Sequence, residues 1–138
     1  MFTQRRILPA LAVAAFTSAA LIVGCGDDSK PEYCDRVDDL RSSVSALTDI
    51  SINGDTINTV ETNVETVQSD AEAVVDSARS DFPEETDALE NAVSNTSDAV
   101  NELPASPSGT QIAALAVNVA DVGKAASNLY DATSSACD

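Results

Sequence analysis

Carboxylates are the abundant reactive group in this chain, with 23 Asp and Glu against seven Lys and Arg, and there is no histidine. The missing imidazole removes the commonest general base, proton shuttle and metal ligand together. Asp35, Asp38 and Asp39 fall within one helical turn, and Asp81, Glu84, Glu85 and Asp87 crowd the expected start of another helix. Oxygen clusters suit hard cations such as calcium, but neither cluster has the alternating Asp-x-Asp-x-Asp-Gly spacing that turns several oxygens inward. Acids at a helix start are accounted for by the helix dipole, and those on the first helix by a solvated face partly offset by Arg36 and Arg41. A serine or cysteine nucleophile would need a base other than histidine, and the nearest amines, Lys30 and Lys124, stand in the tether and alone on the last helix. The five glycines, Gly24, Gly26, Gly54, Gly109 and Gly123, are not clustered after a strand, so no phosphate loop is present. The residues therefore point to a non-enzymatic protein with no catalytic set, cofactor or dedicated metal site.

The three cysteines carry more information. Cys25 closes an apolar or small run from Ile7 to Gly24 that follows Arg5-Arg6, and Gly26-Asp27-Asp28-Ser29-Lys30 comes after it. A basic start, an apolar stretch and a small residue before the cut have the form of a secretory signal; a spanning helix would need a longer run. Arg5-Arg6 also suggests a twin-arginine export signal, but Ile7-Leu8-Pro9 fits that pattern only loosely. The segment Ile22-Val23-Gly24-Cys25 resembles the lipobox of bacterial lipoproteins. That resemblance implies cleavage between Gly24 and Cys25, diacylglycerol on the Cys25 sulfur, and attachment to the outer face of the bacterial cytoplasmic membrane or cell envelope. The chain then divides into a signal peptide, 1–24, a tether, 25–31, and a domain, 32–138.

With Cys25 assigned to lipid, Cys34 and Cys137 remain at the two ends of the domain. Export to an oxidising compartment predicts that they pair. Removing residues 1–24 takes away two basic residues and no acids, which deepens the net charge from −16 to −18. A field of that sign repels nucleic acid and anionic lipid headgroups and excludes a nucleic-acid partner, while keeping an extracytoplasmic domain dispersed.

The elements that position these residues follow from four apolar blocks with the three-then-four spacing of packed helices. The first is Tyr33, Val37, Leu40, Val44 and Leu47; the second is Ile57, Val60, Val64, Val67, Ala71, Val74 and Ala78. Leu89, Val93, Thr96, Val100 and Leu103 form the third. The fourth runs Ile112, Leu115, Val119, Val122, Ala126, Leu129, Thr133 and Ala136. Val60, Thr62, Val64 and Thr66 alternate as a strand would, but continuation of the seven-residue pattern to Ala78 favours helix. Asn53-Gly54-Asp55 breaks the first pair with Asp55 as a cap, Asp81 and Pro83 start the third helix, and Ser106 or Ser108 caps the fourth.

Short connections predict an all-α, up-down-up-down four-helix bundle, closed by one disulfide where Cys34 and Cys137 meet. Lengths do not match. A helix from Cys34 to Ile50 climbs about 24 Å, whereas one from Ser108 to Cys137 descends about 44 Å. Two resolutions are open: Thr48 to Thr56 rises partly extended, with Ile50 and Ile52 touching the core, or the fourth helix frays after Tyr130. Tyr33, Phe82 and Tyr130 are expected to plug the disulfide end, and buried Thr96 and Thr133 to back-bond to their own helices.

The domain, from Glu32-Tyr33-Cys34-Asp35 to Ser135-Ala136-Cys137-Asp138, is similar in composition and layout to small acidic helical secreted proteins of actinobacteria. The expectation is a membrane-anchored, extracytoplasmic, non-enzymatic helical lipoprotein acting through an unknown protein or envelope partner. The alternative is a small-ligand or divalent-cation binding protein of the cell envelope. With the anchor a few residues before the first helix, the loops at the opposite end, Ser51–Asp55 and Pro104–Gly109, are the surface a partner meets first.

Overall fold

A computed structural model describes residues 30–138; the signal segment, the Gly24 and Cys25 junction and the tether up to residue 29 lie outside the described residues. Four helices account for the described chain: α1 (Tyr33–Thr48), α2 (Ile57–Ala78), α3 (Pro83–Asn101) and α4 (Gly109–Cys137). Among the described residues there is no strand, and the alternating Val and Thr of residues 60–66 lie inside α2. Such residues have low helix propensity, so α2 is held by what it packs against.

The apolar stripes converge on one core. Leu40, Leu47, Leu89, Leu115 and Leu129 are buried, and Val60, Val67, Val74 and Val122 fill the space between them. Burying a side chain of that kind stabilises by about 1.5 to 3 kcal/mol, which is what offsets the ordering of a Val- and Thr-rich chain. Nearly every expected core position is buried or partly buried. Ala136 is the exception; it is exposed because Cys137, one position on, takes the inward direction toward Cys34. The buried stripes are also wider than the spacing alone suggests, with Thr86, Val75 and Ala125 buried as well. A helix that packs on two neighbours needs an apolar face broader than a single seam.

Each helix packs on its neighbour in the chain and α4 closes on α1, with no pairing of α1 with α3 or of α2 with α4. Along α1, Cys34 lies by Cys137, Arg41 over the Tyr130 ring, and Thr48 against Gly123. As α1 advances α4 recedes, so these two helices are antiparallel. A Cβ at Gly123 would sit 3.3 Å from Thr48 Cγ2, and the glycine is what admits the end of α1 so close.

The mismatch in length is real: α1 has 16 residues and α4 has 29. Fraying of α4 does not account for it. Helix α4 runs unbroken to Cys137, and beyond Thr48 the chain continues without helix to Thr56, with Ile50 and Ile52 against the core.

The helix starts differ from expectation at two places. Asp55 does not cap α2; its own N–H donates to Asn53 Oδ1 at 2.9 Å, and Thr56 occupies the cap position without a side-chain cap bond. The Thr56 hydroxyl instead donates to Ser51 O at 2.9 Å and accepts from Asn53 N at 3.0 Å, so polar side chains fold the connection onto itself. Asp81 does not cap α3 either. Phe82 takes that position, one residue nearer the helix, because its ring is drawn against Tyr33, and Pro83 follows as the first helical residue. Ser108, not Ser106, starts α4 through a capping box in which Gln111 N donates to Ser108 Oγ at 3.3 Å and Ser108 N donates to Gln111 Oε1 at 2.9 Å.

Candidate functional site

Cys34 opens α1 and Cys137 ends α4, and their sulfurs are bonded at 2.05 Å. Around them the aromatic residues gather as the sequence suggests. Tyr33 and Phe82 meet edge to face with ring centroids 5.6 Å apart, an arrangement worth about 0.5 to 1.5 kcal/mol beyond the area it buries. Tyr130 is half-buried, two turns up α4, and carries the Arg41 guanidinium 4.3 Å above its ring. At a site this exposed a cation over an aromatic face contributes about 0.5 to 1 kcal/mol. Sequence reasoning gave Arg41 to the acids of α1; its partner is a ring on the other helix, a contact visible only once α1 and α4 are laid antiparallel.

The acidic clusters do not converge. Asp35, Asp38 and Asp39 point outward from α1, and Arg36 pairs with Glu32, 3.8 Å away, rather than with any of them. At the other cluster, Arg79 from the end of α2 reaches Glu90 and, at 3.5 Å, Asp87. These pairs are at least half exposed, so water and salt screen them. Among the described residues no three His, Cys, Asp or Glu side chains come together in a way that would hold a metal ion.

Among the described residues the buried polar side chains are accounted for within the fold. Thr86, Thr96 and Thr133 are buried, and each hydroxyl donates to a carbonyl of its own helix or helix start: Thr86 to Phe82 O at 2.8 Å, Thr96 to Ala92 O at 2.8 Å, Thr133 to Tyr130 O at 3.1 Å. Thr96 also reaches Asn118 O of α4 at 3.1 Å and so ties two helices. Among the described residues no buried side-chain nitrogen or oxygen lacks a partner.

No family model, curated protein or solved structure matches this chain. What the molecule offers a ligand or partner is therefore read from its own surface. Between α2 and α3 runs a groove of about 520 Å³, floored by Ala71, Val75 and Val93 and edged by Glu72, Asp76, Arg79, Glu90 and Asp98. A smaller groove of about 360 Å³ lies between α1 and α4 beneath Arg41 and Tyr130. At the end away from the disulfide, Gly54 of the α1–α2 connection and Pro104, Ala105 and Pro107 of the α3–α4 connection line one depression of about 350 Å³. The two loops expected to form one surface are thus neighbours. Gly24 and Cys25, the residues expected to carry cleavage and lipid, lie outside the described residues. Among the described residues no helix is long and apolar enough to cross a membrane.

Proposed function

We propose that this chain is a membrane-anchored, extracytoplasmic, non-enzymatic helical lipoprotein whose four helices run up-down-up-down and which acts through a protein or cell-envelope partner. The observation that carries the reading is the bond between Cys34 and Cys137. A disulfide closing a whole domain belongs to an oxidising compartment, which agrees with an export signal at residues 1–24. With those two sulfurs bonded to each other, Cys25 is the remaining cysteine of three, and it stands at the Gly24 and Cys25 junction that resembles a lipobox. The helix order is supported by the antiparallel α1 and α4, by Arg79 of α2 reaching back from the α2–α3 turn to Asp87 and Glu90, and by the closeness of the two far loops.

Six residues, Gly26 to Pro31, span at most about 20 Å, so a lipid on Cys25 holds the disulfide end toward the membrane and the far loops away from it. A single acyl chain anchors only marginally, and stable attachment takes the diacyl form. Metabolic labelling with a fatty-acid analogue tests the anchor: wild type incorporates label and Cys25→Ala does not. Equal labelling of the two removes the lipoprotein reading.

A further inference from the structure

The groove between α2 and α3 is tied across at both ends. Toward the disulfide, Arg79 of α2 crosses to Glu90 and Asp87 of α3; toward the loops, Ser97 Oγ of α3 donates to Gln68 Oε1 of α2 at 3.5 Å. About 16 Å of helix separates Gln68 from Arg79, and the groove lies along it. Its floor is apolar, and one floor residue is not explained by the core: Val75 is buried, yet it lies outside the continuous cluster that the four helices share.

The groove continues past the tie at Gln68. A shallow hollow bounded by Gln68 and Ser97 extends from it to Glu61, Val100 and Asn101, and these three residues also line the depression beneath the two far loops. One track therefore runs from the surface proposed to meet a partner down the α2–α3 face.

Its walls carry Glu61, Glu65, Glu72 and Asp76 from α2 and Glu90 and Asp98 from α3, against one base, Arg79. Among the described residues Arg79 pairs with Glu90 and Asp87, while Glu72, Asp76 and Asp98 are exposed and pair with no basic side chain. These acids are strung along the track and do not converge on a point, so they suit cationic groups spaced along a chain rather than one metal ion. Arg79 shows the fit within the molecule, since its guanidinium already reaches two carboxylates of the facing helix at one end of the groove. An apolar floor between acidic walls matches side chains that carry a charged head on an apolar stem.

We infer that the α2–α3 groove takes a basic peptide segment of a partner protein, its Arg or Lys heads on Glu72, Asp76 and Asp98 and its apolar parts on Val75 and Val93. The field of the whole acidic domain draws such a segment in, and the floor distinguishes the groove from the rest of the acidic surface. The inference gives the partner of the proposed reading its chemistry and rests on that reading, but not on the lipid anchor.

Fluorescence anisotropy of the full chain, purified in a non-ionic detergent, with a labelled peptide of alternating Arg and Leu tests it at physiological ionic strength. Wild type binds the peptide. Glu72→Gln with Asp76→Asn weakens binding by about tenfold, the upper range for two exposed ion pairs, whereas Asp38→Asn with Asp39→Asn on α1, an equal loss of charge, changes it by less than about twofold. Ser94→Arg, which sets a guanidinium on the groove wall, weakens it as well. All five positions are exposed, so thermal unfolding of the variants matches wild type. The inference is overturned by no binding to wild type, by equal weakening from the α1 and groove pairs, by equal binding of a peptide with Ser in place of Leu, or by spermine competing as well as the peptide itself. Capture of a partner from envelope extracts is read in a separate assay, so failure of the groove and failure of the partner reading are told apart.

Discussion

Cys34 and Cys137 stand 103 residues apart in sequence, yet their Cα atoms are 5.5 Å apart and their sulfurs bonded. Closing so long a loop in the unfolded chain removes entropy that folding would otherwise have to overcome. Cys34→Ser is expected to lower stability by about 2 to 5 kcal/mol in urea unfolding monitored by circular dichroism, within the range for native disulfides of small secreted domains. The same loss should appear in wild type on reduction, and a variant as stable as wild type would mean that the helices need no closure.

Thr96 is the one buried hydroxyl among the described residues that spans two helices, bonding both Ala92 O and Asn118 O. Thr96→Val keeps the shape and removes both bonds, and should cost about 0.5 to 1.5 kcal/mol. Thr133→Val, whose hydroxyl bonds only within α4, gives the comparison. Equal costs at the two positions would leave the α3–α4 bond without a separate contribution.

The start of α4 depends on reciprocal bonds between Ser108 and Gln111. Ser108→Ala is expected to destabilise by about 1 kcal/mol, read as a shift of the unfolding midpoint with the denaturant slope unchanged. Ser106→Ala, outside the cap, should be silent.

The loops at the end away from the disulfide carry the proposed partner surface. Replacing Ser51–Asp55 and Pro104–Gly109 by neutral turns of the same length should abolish capture of a partner from envelope extracts while leaving helicity intact. Undiminished capture with both loops replaced would move recognition to the acidic helix faces.

Periodicity made most of the fold legible. Spacings of three and four over residues 33–47, 57–78, 89–103 and 112–133 lead to four helices and, with few exceptions, to the side chains between them, because burial of an apolar face is the dominant force and leaves a repeating mark. Capping was harder to read. Asp55 and Asp81 have the chemistry of caps, but Thr56 and Phe82 hold those positions because the loop bonds of Asn53 and the contact of Phe82 with Tyr33 decide where the helix begins. Contacts between helices, such as Arg41 with Tyr130 and Arg79 with Glu90, leave no mark in sequence spacing; they follow only after the helices are paired. At the candidate site, the Cys34 and Cys137 pairing was legible from arithmetic on three cysteines.

Disulfide closure has a further effect on how this molecule meets proteases. Exposed turns such as Asn53–Asp55 and Ala105–Ser106 are the places where a cut is easiest. With Cys34 bonded to Cys137, the domain is a covalent ring, and one cut anywhere in it opens the ring without dividing it. The fragments stay joined at their sulfurs and docked along the shared core, so a nicked molecule keeps its mass and its place until the bond is reduced. Cleavage and loss become separate events, the second governed by thiols rather than by proteases.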